Sequence, residues 1–130
     1  MLDRNALDGF LQNMCAVRAA GDANTFGEML ADDSTFQIIG FGSKVTGKAD
    51  VMATLRQLIQ DFHFVEWRPI QIVAEGDSVA MRCVLKVRHR SKAHAEETET
   101  ADFIKLRDGK IVSYVQYADT RLATDISSGG

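Results

Sequence analysis

One stretch of sequence decides the fold: residues 74–90 read AEGDSVAMRCVLKVRHR. Glu75, Gly76 and Asp77 have the composition of a turn, and the segment after them alternates between apolar and basic side chains. The apolar positions are Val79, Met81, Cys83, Leu85 and Val87, and the basic positions are Arg82, Lys86 and Arg88. Because neighbouring side chains of a strand point to opposite faces, this pattern predicts a β-strand over residues 78–90 with one buried face.

Turn signals place further strands on both sides of this one. Downstream, Asp108-Gly109 supplies the positive φ angles of a tight hairpin, which leads into a last strand over residues 111–120. Upstream, residues 63–74 are rich in aromatic and β-branched side chains, and Pro69 confines that strand to an edge or a bulge. The second half of the chain is therefore predicted to be an antiparallel meander.

The first half of the chain has helical periodicity. Apolar residues recur at helical spacing, at Leu7, Phe10, Leu11, Met14 and Val17 in a first helix and at Val51, Leu55, Leu58, Ile59 and Phe62 in a third. Asp3 is the predicted N-cap of the first helix, Gly21 ends it, and Asp22 caps a short second helix. A strand over residues 34–39 and a glycine-containing turn over 40–47 precede the third helix. Helices followed by a meander predict an α+β fold.

The composition limits the classes of partner. The chain has 130 residues and a formal net charge of -3 without long blocks of one sign. Lys and Arg are not clustered as a nucleic-acid partner requires, and no apolar run approaches the ~20 residues of a membrane span, so we expect neither partner. Cys15 and Cys83 lie far apart in apolar patterns, which predicts reduced thiols and a cytoplasmic location. One domain over residues 1–124 and a disordered tail over 125–130 are expected.

Several short segments, taken with the order of the elements, resemble the nuclear transport factor 2-like superfamily. They read AGD at residues 20–22, ADDST at 31–35, AEGDSV at 74–79 and RDGKI at 107–111. Within that superfamily, the resemblance is strongest to SnoaL-like polyketide cyclases and relatives of ketosteroid isomerase. It implies a cone-shaped α+β barrel, in which three N-terminal helices pack on a strongly curved, mostly antiparallel sheet that encloses one pocket.

Ketosteroid isomerases use a carboxylate base, a tyrosine and a protonated aspartate. The base moves a proton while the two donors stabilise the developing enolate oxygen. By the resemblance, the base falls on Ile38, the tyrosine on Met14 and the aspartate on Asp102. Neither Ile38 nor Met14 can transfer or donate a proton, so we do not expect the isomerase mechanism in this chain.

Limonene epoxide hydrolases, which share this fold, activate water with two aspartates and an intervening arginine. The aspartates match Asp102 and Asp119, but the arginine matches Thr100. The polar pair that helps to hold the water falls on Phe36 and Ile38. The resemblance therefore keeps both carboxylates and lacks the cation that balances them.

Asp102 and Asp119 are the candidate catalytic residues. Asp102 lies on a predicted strand whose inner face is otherwise apolar, where a carboxyl has a raised pKa that suits acid/base catalysis; the alternative is a structural aspartate bonded to the backbone or to Arg82. An aspartate in the region of Asp119 is the proposed acid/base of SnoaL-like cyclases, and the alternative is a helix cap or surface residue. Pairing across the tight hairpin places Asp102 opposite about Val115. Asp102 is therefore predicted to lie deep in the pocket and Asp119 nearer its rim.

The remaining candidates are ligand-binding residues. Those expected to line the pocket are Met14, Phe36, Ile38, His63, Trp67, Tyr114 and Gln116. Alternation in the last strand leaves open whether the set containing Tyr114 and Gln116 or the set containing Asp119 faces inward. His89 and His94 have no partners at metal-ligand spacing, so we expect no metal, and nothing in the chain predicts a cofactor.

These observations predict a protein with a pocket for a small apolar molecule. The expected activity is that of a cofactor-free acid/base isomerase, cyclase, dehydratase or hydrolase on an apolar substrate. The alternative is a non-catalytic ligand-binding or protein-interaction module of the same fold. The outer sheet face is predicted to carry Arg82, Lys86 and Phe103, which is too mixed for a core and too aromatic for plain solvent. We expect a symmetric homodimer through this face, as the resemblance also implies.

Overall fold

A computed structural model describes residues 2–40, 42–119 and 122. Three helices and six strands follow one another in the order α1 (Arg4–Ala20), α2 (Ala23–Glu28), β1 (Leu30–Ile39), β2 (Val45–Thr46), α3 (Lys48–Asp61), β3 (Phe62–Glu75), β4 (Ser78–His89), β5 (Glu96–Arg107) and β6 (Lys110–Tyr117). This is the predicted order with one addition, because the short strand β2 lies within the predicted turn over residues 40–47. Within the described residues, no helix is both long and apolar enough to cross a bilayer.

The ends of the first two helices confirm the predicted caps. The Asp3 carboxylate accepts a hydrogen bond from the Ala6 backbone N–H at 2.8 Å, and Gly21 ends α1 in the left-handed region at φ 70°. The Asp22 carboxylate accepts from the Thr25 backbone N–H at 3.1 Å and so caps α2. Each cap satisfies a backbone N–H that has no partner within its helix.

The six strands form one sheet in the order β2-β1-β6-β5-β4-β3. All neighbours are antiparallel except β1 and β6, which are parallel. The sheet confirms the mostly antiparallel α+β prediction, but among the described residues it has two free edges and does not close into a barrel. Pro69 lies on the edge strand β3, next to a register shift between Pro69 and Gln71, as a residue that lacks a backbone N–H requires.

The hairpin between β5 and β6 has the predicted turn and a different register. Asp108 and Gly109 both have positive φ, at 53° and 77°. The pairing shifts between Lys105 and Leu106, which adds one residue on β6, and Asp102 therefore pairs with Gln116. The prediction that Asp102 lies opposite Val115 is wrong by that one residue.

β6 is also shorter than predicted, because it ends at Tyr117. The rest of the predicted last strand includes Thr120, which lies outside the described residues, as does the tail predicted over residues 125–130. Within β6, Tyr114 and Gln116 are buried while Tyr117 is exposed. Of the two sets of side chains that the alternation left open, the set containing Tyr114 and Gln116 therefore faces the interior.

The core lies between the helices and one face of the sheet. Its apolar residues in β4 are those that the alternation predicts, Val79, Met81, Cys83, Leu85 and Val87. From α1, Leu7, Leu11 and Met14 pack against the same face. Cys15 and Cys83 are both buried, and neither forms a disulfide in this structure.

Candidate functional site

A cavity of about 80 Å³ lies between the end of α1, α3 and the inner face of the sheet. Its apolar wall consists of Ile38, Leu58, Phe62, Phe64, Leu85, Val87, Ala118 and Leu122, and its polar residues are Arg18, Thr98, Thr100, Gln116 and Asp119. We call this space the Arg18 cavity. Arg18 is buried and Asp119 is exposed, so the cavity has a buried polar end and an end near solvent.

Arg18 is the charged residue of this site that the sequence analysis missed, and Thr98 and Thr100 were not among its candidates either. It lies in the last turn of α1, where the spacing Leu7, Leu11, Met14, Arg18 places it on the apolar face of the helix. Only 5% of its surface is exposed. That spacing was the available signal, because a charged residue in register with the apolar face of a helix is directed into the core.

Four aromatic rings surround the Arg18 guanidinium. Its central carbon lies 4.1 Å from the centroid of Trp67, and the centroids of Phe26, Phe36 and Tyr114 are 5.5 to 5.8 Å away. Cation–π attraction of this kind stabilises a desolvated cation without neutralising its charge. Within the described residues, no carboxylate makes a direct ion pair with Arg18.

Asp102 lies on β5 beside this guanidinium and is completely buried. The Tyr114 hydroxyl donates a hydrogen bond to its Oδ2 atom. Burial raises the pKa of Asp102, and this effect exceeds the opposing effects of the Tyr114 hydrogen bond and the Arg18 charge. Burial, followed by the Asp102 charge, raises the pKa of Tyr114 well above its usual value.

Arg82 does not bond to Asp102, so the prediction of Arg82 as the partner of a structural aspartate is wrong, while the structural alternative itself stays open. Its guanidinium donates instead to Glu99 at 2.7 Å and to Gln71 at 3.2 Å, and all three side chains are exposed. The cation near Asp102 is Arg18, from α1. The epoxide hydrolase resemblance had lost its cation at Thr100, and Arg18 brings a positive charge to the same carboxyl from a different element.

Several buried polar atoms at this end have no hydrogen-bond partner. They are Arg18 Nη1, Trp67 Nε1, Thr100 Oγ1, Asp102 Oδ1 and Gln116 Nε2. Thr100 and Gln116 lie close enough to the Asp102 carboxyl to lower its pKa, but neither makes a hydrogen bond of ordinary geometry with it. Because most buried polar groups in folded proteins are paired, a group of unpaired ones calls for an explanation.

The two candidate catalytic carboxylates are separate. Asp102 pairs with Gln116 on β6, and Asp119 follows that partner by three residues. Asp102 lies behind the cavity wall, whereas Asp119 is part of the wall. The Asp119 carboxylate accepts a hydrogen bond from the Leu122 backbone N–H at 3.0 Å, so it also caps the chain that follows. The catalytic roles of both residues stay predictions.

The predicted ligand-binding residues fall into three groups. Ile38 and Gln116 line the Arg18 cavity. Phe36 lines a neighbouring cleft of about 440 Å³, which shares Ile38, Leu58 and Phe62 with the cavity. The others lie outside both walls: Met14, Trp67 and Tyr114 are buried in the core, and His63 is partly exposed. Their predicted contact with a ligand stays a prediction.

Across the residues that the structure describes, no three His, Cys, Asp or Glu side chains come together as a metal site needs.

Solved structures with the same fold were found for nearly the whole chain. A candidate isomerase from Bacillus subtilis is 17% identical over 94% of this chain and 92% of its own, with a TM-score of 0.83. A candidate polyketide cyclase from Xanthomonas campestris pv. campestris is 19% identical over 93% and 96%, with a TM-score of 0.79. An epoxide hydrolase of M. tuberculosis resembling limonene epoxide hydrolase is 20% identical over 86% and 81%, with a TM-score of 0.73. Identities this low show the fold alone.

Comparisons of sequence alone found a domain family but no curated relative. No curated protein is a significant match to this chain. The model of the SnoaL-like domain matches residues 11–114, a span that runs from α1 to β6 and contains Arg18, Thr100 and Asp102. The chain therefore belongs to the SnoaL-like domain family.

Proposed function

We propose that this chain binds a small, largely apolar molecule in the Arg18 cavity and carries out cofactor-free acid/base chemistry on it. The observation that supports this proposal is the distribution of polarity in the cavity. Apolar side chains form most of the wall, one buried end carries Arg18, Thr100 and Gln116, and a carboxylate stands near solvent at Asp119. Ligand sites of proteins commonly combine an apolar wall with a few polar groups that fix orientation.

The volume limits what the cavity holds. A cavity of about 150 Å³ accommodates benzene, and the Arg18 cavity is about half that size. The enclosed part therefore takes a polar head with a few carbon atoms, and the rest of a larger substrate extends towards Asp119. A polycyclic body does not fit inside unless the wall moves.

Each polar residue has a distinct role in this proposal. Arg18 binds the head of the substrate and holds it in one orientation. Asp119 takes a proton from a carbon next to a carbonyl, the electron pair moves onto the carbonyl oxygen, and the protonated Asp119 returns a proton to carbon. Asp102 and Tyr114 lie behind the wall and act as positioning residues, because their hydrogen bond and the Asp102 charge hold the region around Arg18.

Proton exchange tests the proposal without knowledge of the natural substrate. In D2O, the protein is expected to accelerate deuterium uptake next to the carbonyl of a small ketone such as 3-pentanone, followed by NMR. The Asp119→Asn variant should keep ketone affinity within about tenfold and lose most of the exchange, as expected for a group that acts mainly in the transition state. Asp32→Asn, which changes an exposed aspartate of β1 outside the cavity wall, is the matched control.

A second function, ligand binding without catalysis, is favoured by one specific observation. The Asp119 carboxylate already accepts the Leu122 N–H, and the other carboxyl, Asp102, is outside the cavity wall. Ketone binding with no exchange above the uncatalysed rate would support the binding module and reject the enzyme. Absence of binding by every apolar probe would reject both.

A further inference from the structure

The unpaired groups of the residues that line the buried end of the Arg18 cavity can all donate a hydrogen bond. Arg18 Nη1 and Gln116 Nε2 can only donate hydrogen bonds, and the Thr100 hydroxyl can donate as well. All three residues line the cavity, and each is at least 95% buried. Three residues with unused donors thus line one small space, which suits an occupant rich in acceptor oxygens.

The buried positive charge of Arg18 further limits which ligands suit this end of the cavity. Burying a cation without a counter-ion is costly, and Arg18 has four aromatic rings around it but no carboxylate bonded to it. The Asp102 carboxyl uses its Oδ2 atom to accept from Tyr114, and its Oδ1 atom, near Thr100 and Gln116, makes no hydrogen bond. The Asp119 carboxylate accepts from Leu122 N–H near solvent. Arg18 therefore has a buried carboxyl nearby but, among the described residues, no direct ion pair, and its Nη1 atom has no hydrogen-bond partner.

We propose that the ligand of the Arg18 cavity carries a carboxylate, which accepts hydrogen bonds from Arg18, Gln116 and Thr100 while an apolar chain extends along Leu58, Phe62 and Phe64. This inference rests on the proposed binding function and adds the class of ligand. Two carboxylate oxygens offer about four acceptor positions, enough for the three donors. A neutral carbonyl offers fewer acceptors and leaves the guanidinium charge uncompensated.

A phosphate fits this site less well. It carries a charge near -2 at neutral pH, and Arg18 is the one cation in the cavity wall formed by the described residues. The volume of about 80 Å³ also suits a carboxylate followed by a short aliphatic chain. The ligand class is therefore a small organic acid with an apolar tail.

Three molecules of equal length test the inference by titration calorimetry and by NMR shifts of cavity residues: butyrate, butyramide and 1-butanol. Hydrogen bonds to charged groups are stronger than neutral ones, so butyrate should bind at least about tenfold more tightly than butyramide. Arg18→Met keeps an apolar side chain among the rings and should abolish this preference. Arg82→Met, at an exposed arginine on the outer face, should leave it unchanged.

Thr100→Val provides a variant of nearly the same shape that removes an unpaired hydroxyl. We expect it to weaken butyrate binding severalfold and to leave the ligand-free protein as stable as wild type or more stable, because a buried unpaired group is lost. If Arg18→Met does not fold, butyrate binding by Thr100→Val tests the inference instead.

The outcomes separate this inference from the proposed function. Equal binding of butyrate and butyramide, an unchanged preference in Arg18→Met, or an unchanged butyrate affinity in Thr100→Val would reject the carboxylate ligand and leave the proposed apolar pocket in place. Binding of 1-butanol or 3-pentanone without any binding of butyrate would do the same. If no probe binds, both proposals fall.

Discussion

Arg18 and Arg82 show how differently one residue type behaves on the two sides of the sheet. Arg82 lies on the outer face and bonds to Glu99 at 2.7 Å, with both side chains about half exposed. Arg18 lies on the inner side, is 5% exposed, and is surrounded by rings rather than by carboxylates. The arginine with the good ion pair is the one that water already solvates. The paired arginine is thus the exposed one, whereas the buried arginine has no ion pair among the described residues.

The largest difference is expected when each arginine is truncated. Arg18→Ala removes the cation–π contacts and leaves a void beneath four rings, so the free energy of unfolding should fall by about 2–5 kcal/mol. Arg82→Ala removes an exposed ion pair and should cost less than about 1 kcal/mol. Urea unfolding measures both values. Similar losses for the two variants would contradict the difference in environment between the buried Arg18 and the exposed Arg82.

The next effect concerns the two tyrosines of β6. Tyr114→Phe leaves Asp102 Oδ2 without its donor and should lower the free energy of unfolding by about 1–3 kcal/mol. Tyr117→Phe changes an exposed side chain on the other face and should stay within about 0.5 kcal/mol of wild type. A loss of stability in Tyr117→Phe as large as that in Tyr114→Phe would argue against a special role for the buried hydrogen bond.

A difference in sign is expected between two aspartates as the pH changes. Burial raises the pKa of Asp102, so the folded state binds that proton more tightly than the unfolded state, and stability is lost as the pH rises from about 3.9 through the folded-state pKa. The unfolding free energy of wild type relative to Asp102→Asn should fall across this window and stay flat above it.

Asp33 is the matched case of opposite sign. Its hydrogen bond from Arg107 lowers its pKa, so its stabilising effect is present above about 3.9 and is lost as the pH falls through the folded-state pKa. The same difference measured for Asp33→Asn should therefore rise with pH. Chemical denaturation at a series of pH values checks both, and slopes of the same sign would contradict the assignment of Asp102.

The smallest effect on folding is expected on the outer face. Phe103 and Tyr117 are each 49% exposed there, with their rings edge to face at 5.7 Å. If this face forms the proposed symmetric dimer, Phe103→Lys should halve the mass seen by light scattering and change the stability of the protomer by about 0.5 kcal/mol or less. Val73→Lys, at an exposed site on the edge strand β3, should leave the mass unchanged. A wild-type protein with the mass of one chain would reject the dimer.

Local rules predicted most of the fold. The alternation from Val79 to Val87, the Asp108-Gly109 turn and the Asp3 and Asp22 caps are each specified by a few neighbouring residues, and all were confirmed. The site depends on relations between distant elements. The extra residue in β6 changed the partner of Asp102, and no local pattern fixed which face of β6 is buried.

Arg18 shows the same limitation from another direction. The helix spacing that predicts burial of Leu7, Leu11 and Met14 also selects Arg18, but a charge at such a position is readily treated as an exposed helix end. Its burial depends on Phe26, Phe36, Trp67 and Tyr114, which come from four other elements. Because these four aromatic residues lie far apart in the sequence, sequence analysis does not reveal that they surround Arg18, whereas the three-dimensional structure does.

The place of β6 in the sheet has a consequence for the order of assembly. β6 is the last strand along the described chain, yet it stands between β1 and β5 and pairs with both. During synthesis, β1 can pair with β2 alone until residues 110–117 have left the ribosome, and the sheet stays in two pieces. Closing the gap requires contacts between residues about 80 positions apart, such as Phe36 with Tyr114, and contacts of such long range slow folding. The same strand carries Tyr114 and Gln116, so the polar end of the cavity is completed only at this final step.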